Sequence, residues 1–207
     1  MAGGDQDMND ELAGAQARLR EVDHRIKNDL QLIASVLILQ MRKLPEGPER
    51  DLIRGALDRI GAVSAVHRRL DVTADPKHFE ASALVREVAE EAVAGARRDD
   101  IVLDLALSPV TIPTRQAAPL ALVVGELVRN SVKHAFPGHG GMISVALASE
   151  GGTVTLSVRD DGAGLRSGEA GFGATLVNLL AQQLRGQAET RPADPGVIAG
   201  VRFPESA

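Results

Sequence analysis

ELVRNSVKHAFP, residues 126–137, closes a longer apolar-periodic run, Gln116–Ala135, that reads as a helix. Glu126, Asn130 and His134 recur at steps of four and share one helix face, with Lys133 beside it. Leu120, Val124, Leu127 and Val128 fall on the opposite face and are fit to pack on a sheet. A carboxylate, a carboxamide and two nitrogen bases on one face form an unusual set for a core helix. Glu126 can orient or deprotonate a reacting group. The Asn130 oxygen can join phosphate oxygens and waters around a magnesium ion. Glu126 is a second candidate ligand, and Lys133 can meet a phosphate as a point charge. Taken alone, this motif fits a solvated helix face equally well.

Working outward, two strands follow: Met142–Ala148 and Thr153–Arg159, joined by Glu150-Gly151-Gly152 as a hairpin turn. Next comes Asp160-Asp161-Gly162-Ala163-Gly164 at a strand end. Its two glycines let the backbone approach a ligand closely, and its acid can accept a hydrogen bond from an adenine amino group. Gly171-Phe172-Gly173 then leads into a helix read as Thr175–Leu184, where free N–H donors suit phosphates. An acidic turn or a lone GxG is weak evidence by itself. The order of the three motifs, with strands between the first two, carries the weight. Ala81–Arg97 also reads as a helix, and Ile101–Leu107 and Val197–Phe203 read as strands. The expected fold class is α+β, with this part an α/β sandwich.

At this point the segment resembles the ATP-binding domain of the histidine kinase, gyrase, Hsp90 and MutL superfamily, the Bergerat fold. ELVRNSVKHAFP looks like its N box, DDGAG like its G1 box and GFGATLV like its G2 box, over roughly residues 79–207. The resemblance implies ATP and Mg²⁺ as cofactors. It implies that Asn130 binds magnesium and Asp160 contacts the adenine amino group. Gly162 and Gly164 then shape the adenine side, Gly171 and Gly173 cradle phosphates, and Lys133 and His134 flank the nucleotide. The lid, Leu165–Ala170, is only six residues long. That leaves open a low nucleotide affinity or a lid that closes only on docking.

The N-terminal third reads differently. From Asp10 to Lys43 there is no proline, and Leu19, Val22, Ile26, Leu30, Ile33, Leu37 and Met41 form one helical stripe. Leu44–Pro48 breaks the helix. A second stripe runs through Leu52 or Ile53, Leu57, Ile60, Ser64 and His67. A lone helical hairpin cannot enclose a core, so pairing two into a four-helix bundle predicts a homodimer; docking on the chain's own C-terminal part is the other solution. The expected organisation is a disordered 1–9, a helical hairpin over 10–75 and an ATP-binding domain over 76–207.

His24 lies 160–200° around the helix from Val22 and Ile26, so it faces solvent at the helical step of 100° per residue. EVDHRIKNDLQLIASVLILQ is similar to the phosphoacceptor segment of the HisKA_2 histidine kinases, whose pattern is close to E-V-H-H-R-V-K-N-N-L-Q. His24 matches the second histidine of that doublet. Asp23 stands in place of the first histidine, and Asp29 in place of the second Asn. Val66-His67 fits the end of the family's second bundle helix. The resemblance implies a kinase that autophosphorylates His24 from Mg-ATP and passes the phosphoryl group to a response-regulator receiver domain. Many histidine kinases place an acid directly after the histidine; here Arg25 stands there. Asp23 and Glu126 are the candidate replacements, and the sequence does not choose between them.

Composition bounds the rest. Aromatic residues make up 2% and the net charge is −5, with no basic patch, so nucleic acid is not an expected partner. There is no Cys, which removes disulfides and thiolate metal sites. The apolar runs Leu32–Leu39 and Ala117–Val124 are too short to span a bilayer, so no membrane insertion is expected and a cytoplasmic location follows. Few residues precede His24, which suggests a sensor supplied in trans or a longer chain. Two rival functions remain: a phosphotransfer scaffold with a degenerate ATP domain, and an anti-sigma-type protein kinase or ATPase.

Overall fold

The computed structural model describes residues 21–22, 25–70, 77–164 and 171–205. The chain divides into two compact units, Met1–Ile60 and Gly61–Ala207.

In the first unit, helix α1 spans 25–41 and a turn over 42–47 leads into α2, Pro48–Leu70. Pro48 opens α2 where its missing N–H costs nothing, and Glu49 and Asp51 favour the positive end of the helix. Arg50 reaches back to Glu46 at 2.7 Å across that start. Ile26, Leu30, Leu37 and Met41 are half-buried, whereas Val22 and Ile33 of the expected stripe are exposed. The reason is that α1 is apolar on more than one face: Leu32, Val36 and Leu39 form a second, exposed line.

Helix α2 continues into the second unit. The sequence stripe extends through Ser64 and His67, but the buried residues here are Ala62, Ala65 and Val66. The buried line moves because this end of α2 packs on other helices. A Cβ built on Gly125 would sit 3.5 Å from Val88 and 4.0 Å from Ala62, in ordinary van der Waals contact, so three helices meet here.

The second unit continues with β1 (His78–Glu80), α3 (Ala81–Gly95), β2 (Ile101–Leu107) and β3 (Thr111–Pro113). A short 3₁₀ turn, Thr114–Gln116, leads into α4 (Ala117–His134). Then follow β4 (Gly141–Glu150), β5 (Thr153–Asp160), α5 (Phe172–Gln183), β6 (Gln187–Pro192) and β7 (Val197–Pro204). Five strands form a mixed sheet in the order β2-β4-β5-β7-β6, parallel only between β2 and β4. Strands β1 and β3 form a separate antiparallel pair.

One face of the sheet is buried, as the alternation in β4 and β5 requires. Ile143, Val145, Leu147, Leu156, Val158, Val201 and Phe203 meet Leu84, Val85 and Val88 of α3, Leu120, Val124 and Val128 of α4, and Val177 and Leu180 of α5 in one core. The β4–β5 hairpin closes on Gly151 and Gly152, whose φ values of 56° and 75° are those a tight primed turn demands. Helix α5 begins at Phe172, earlier than the expected Thr175. Strands β1, β3 and β6 are additional to the sequence reading.

Candidate functional site

Helix α4 is the common support of the site. Its apolar residues bury one side and seat it against α3 and the sheet, which fixes the rotation of the other side. Along that side Glu126 is buried, Asn130 is half-buried, and Lys133 and His134 are exposed. The expected face therefore exists, but it is graded in depth and its first member lies inside the fold. Glu126 pairs with Arg129, one helical turn on.

The first turn of α5 lies on this face. A Cβ built on Gly173 would collide with Glu126 Oε1 and lie 3.2 Å from Asn130 Nδ2. Glycine at 173 is thus a matter of space: α5 approaches the Glu126–Asn130 pair too closely for any side chain. Gly171 is the N-cap of α5 and contributes no side-chain cap, and its carbonyl accepts from Ala174 N at 3.0 Å and Thr175 N at 3.3 Å.

The loop after β5 crosses the end of α4. Ala163 N donates to Ala135 O at 2.8 Å, and a Cβ on Gly162 would collide with that same carbonyl. Gly164 has φ 80°, in the left-handed region. Asp160, at the end of β5, is buried and accepts three hydrogen bonds. Oδ2 accepts from Ser131 Oγ at 3.0 Å, and Oδ1 accepts from the N–H groups of Gly162 and Val197, each at 3.2 Å. Gly196 presses on the Asp160 backbone with φ 96°. All three sequence motifs thus converge on the C-terminal half of α4.

A clamp holds the segment that follows α4. Arg98 donates to Phe136 O at 2.9 Å and to His139 O at 2.6 Å, and forks onto Asp100 at 2.9 and 2.6 Å. That hydrogen-bonded fork holds the Asp100 carboxyl below its ordinary range.

The HisKA_2 family, described as histidine kinase, matches residues 21–95, and the histidine kinase-, DNA gyrase B- and HSP90-like ATPase family matches residues 115–206. The chain carries both family regions of a HisKA_2-type histidine kinase. Sensor histidine kinase PdtaS of Mycobacterium tuberculosis is 29% identical over 163 residues, covering 76% of this chain and 32% of the relative. Blue-light-activated histidine kinase 2 of Erythrobacter litoralis is 23% identical over 214 residues, covering 98% of this chain and 61% of the relative. The chain thus spans about a third of the length of the mycobacterial relative and under two thirds of the other. In fold it is similar to the histidine kinase domain of the Erythrobacter litoralis blue-light activated kinase, with TM-score 0.69, 22% identity and coverage of 95% and 94% of the two chains. The mycobacterial sensor histidine kinase MprB gives TM-score 0.54 at 21% identity, over 63% of this chain and 97% of that one.

The structure brings together Glu126, Asn130, Asp160, Gly162, Gly164, Gly171 and Gly173, with Lys133 and His134 at the exposed end of the same helix. His24 and Asp23 lie outside the described residues, as does the lid 165–170. Among the described residues no three His, Asp or Glu side chains group as a metal centre, and no helix is long and apolar enough to cross a membrane. Ser131, Arg129, Arg98 and Gly196 also shape the site and are absent from the sequence reading. Ser131 follows Asn130 directly, but reading the helix in steps of four passes over it.

Proposed function

We propose that this histidine kinase uses Mg-ATP to phosphorylate His24 and passes the phosphoryl group to an Asp of a response-regulator receiver domain. The observation that carries the reading is the close seating of Gly173 on Glu126 and Asn130, beside the buried Asp160. That arrangement supports a reading in which Asp160 meets adenine, Asn130 the metal and the start of α5 the phosphates.

Each side chain has a task its chemistry supports. Asp160 accepts from the adenine amino group. Its carboxylate has about four acceptor sites, and three are filled within the protein, so one remains for the base. Asn130 offers its amide oxygen to the metal, with Glu126 near enough in sequence and space to assist. Such a sparse protein donor set fits magnesium, which keeps phosphate and water ligands. When bound, the ion neutralises charge on the transferring phosphoryl group. Gly171 and Gly173 keep side chains away from the start of α5, whose positive end suits phosphate oxygens, and Lys133 and His134 line the exposed side.

An imidazole nitrogen of His24 attacks the γ-phosphorus, the bond to the ADP oxygen breaks, and the ring proton passes to a carboxylate. Glu126 and Asp23 are the two candidates, and Glu126→Gln and Asp23→Asn separate them. The exposed apolar residues of α1 support a homodimer, as this family's bundle implies.

The test is incubation of the full chain with Mg-ATP. Acid-labile, alkali-stable label is expected, lost in His24→Gln and in Asn130→Ala. Label that persists in His24→Gln would move the acceptor elsewhere. ATP binding without label, together with uptake of phosphoryl from a phosphorylated receiver, would favour the scaffold reading. Charge reversals across 27–42 and 50–58 are expected to slow transfer to the receiver.

A further inference from the structure

We propose that Arg129 is a positioning residue for phosphoryl transfer, acting through Glu126. The inference rests on the histidine kinase reading above.

The Glu126 side chain is 1% exposed and that of Arg129 is 24% exposed. A carboxylate so deeply buried is held in place by donors and positive charge beside it. Arg129 supplies that charge from the next turn of the same helix, and an i,i+3 pair on a packed helix has little freedom to slide. A guanidinium presents its donors in a rigid planar fork, which a lysine does not.

The oxygen that Arg129 holds is also the one that meets α5. Glu126 Oε1 is the atom that leaves no space for a Cβ at Gly173, and the Asn130 amide is the next group there. Glu126 Oε1 is therefore shared between Arg129 and the first turn of α5. Without Arg129 the carboxylate loses this anchor and shifts, which takes its oxygen from beside Asn130 and slackens the seat of α5. Arg129 needs no contact with nucleotide to have this effect, which separates it from a phosphate ligand.

The experiment compares Arg129→Met, Arg129→Lys, Glu126→Gln and the double variant Glu126→Gln/Arg129→Met in the full chain. Autophosphorylation gives kcat and the KM for ATP, and hydrogen exchange follows backbone amides 173–176. Arg129→Met is expected to lower kcat about tenfold while KM moves less than about twofold. Arg129→Lys recovers most of that loss. In the Glu126→Gln background Arg129→Met adds no further loss, because the two act as one unit. Amides 173–176 exchange faster in Arg129→Met and no faster in the double variant than in Glu126→Gln. A raised KM with unchanged kcat, equal in both backgrounds, would make Arg129 a direct phosphate ligand and overturn the proposal. So would wild-type kcat and exchange in Arg129→Met. Absence of any phosphohistidine in the wild type would remove the functional reading, while the exchange arm would still decide whether Arg129 acts through Glu126 on α5.

Discussion

Asp160 is asked to serve the fold and the proposed adenine contact with one carboxylate. Its oxygens accept from Ser131 Oγ and from two backbone N–H groups. Asp160→Asn places an N–H₂ against at least one of those donors. We expect it to lower unfolding free energy by about 2 kcal/mol, the range for hydrogen bonds to a charged group, and to abolish ATP binding. Ser131→Ala should cost about 1 kcal/mol and retain binding, because backbone donors still hold Oδ1. Urea unfolding and nucleotide titration measure both, and full ATP affinity in a folded Asp160→Asn would dismiss Asp160 as the adenine acceptor. Glu80 gives a pH prediction. Burial raises its pKa, but hydrogen bonds from Ser82 Oγ, Ser82 N and Ala83 N, with the Arg69 charge, outweigh this and hold it below the ordinary value. A lowered folded pKa contributes stability that is present above the unfolded pKa and is lost as pH falls through the folded one. Glu80→Gln should therefore destabilise near neutral pH, with the difference shrinking as pH falls through the lowered folded pKa; a difference that stays constant with pH would contradict this. At this scale the sequence exposed Asn130, Asp160 and the glycines, because each belongs to a short motif. Ser131, Arg129 and Arg98 were hidden because their roles come from partners that only the tertiary fold supplies.

Elements with strong periodicity were legible: α3, α4, β2, β4, β5 and β7 lie where apolar spacing and turn residues put them. The exceptions have physical reasons. Strand β6, QAETRP, is polar almost throughout and pairs only along one edge, with β7, so no alternation marks it. Strands β1 and β3 are three residues each, too short for a pattern. Helix α5 starts early because Phe172 and Gly173, read as part of a turn, already lie in its first turn. The least legible element is α2, whose later turns belong to the second unit. Arg68 and Arg69 bind Glu87 at 2.6 and 2.8 Å, and Arg68 reaches Glu91 at 3.1 Å. Ala62, Ala65 and Val66 are buried in the same core as α3. A fragment beginning at residue 77 should then be less stable than one beginning at residue 58. Losing two buried alanines and a valine corresponds to about 3 kcal/mol at the usual yield of apolar burial. Thermal unfolding of the two fragments decides this, and identical midpoints would mean that the end of α2 is dispensable to the ATP-binding unit.

For the whole molecule the open question is what covers α1. Leu32 is 65% exposed and Leu39 is 59% exposed, with Val36 between them and Leu52 of α2 at 73%. Steps of four and three place Leu32, Val36 and Leu39 on one side of α1, a line of aliphatic residues of the kind that pairs helices. In a chain with 2% aromatic residues, such aliphatic lines are the main means of association. A second copy is the occupant we favour, since two hairpins side by side bury both lines by symmetry. Leu32→Asp with Leu39→Asp puts charges where the copies would meet and cannot be desolvated without loss. Sedimentation over a range of concentrations should show a dimer for the wild type and a monomer for the double variant. A fragment beginning at residue 58 provides the control, because it lacks α1 and should sediment as a monomer with or without ATP. A wild-type chain that stays monomeric at every concentration would leave these leucines to some other cover, and the homodimer would fall with it.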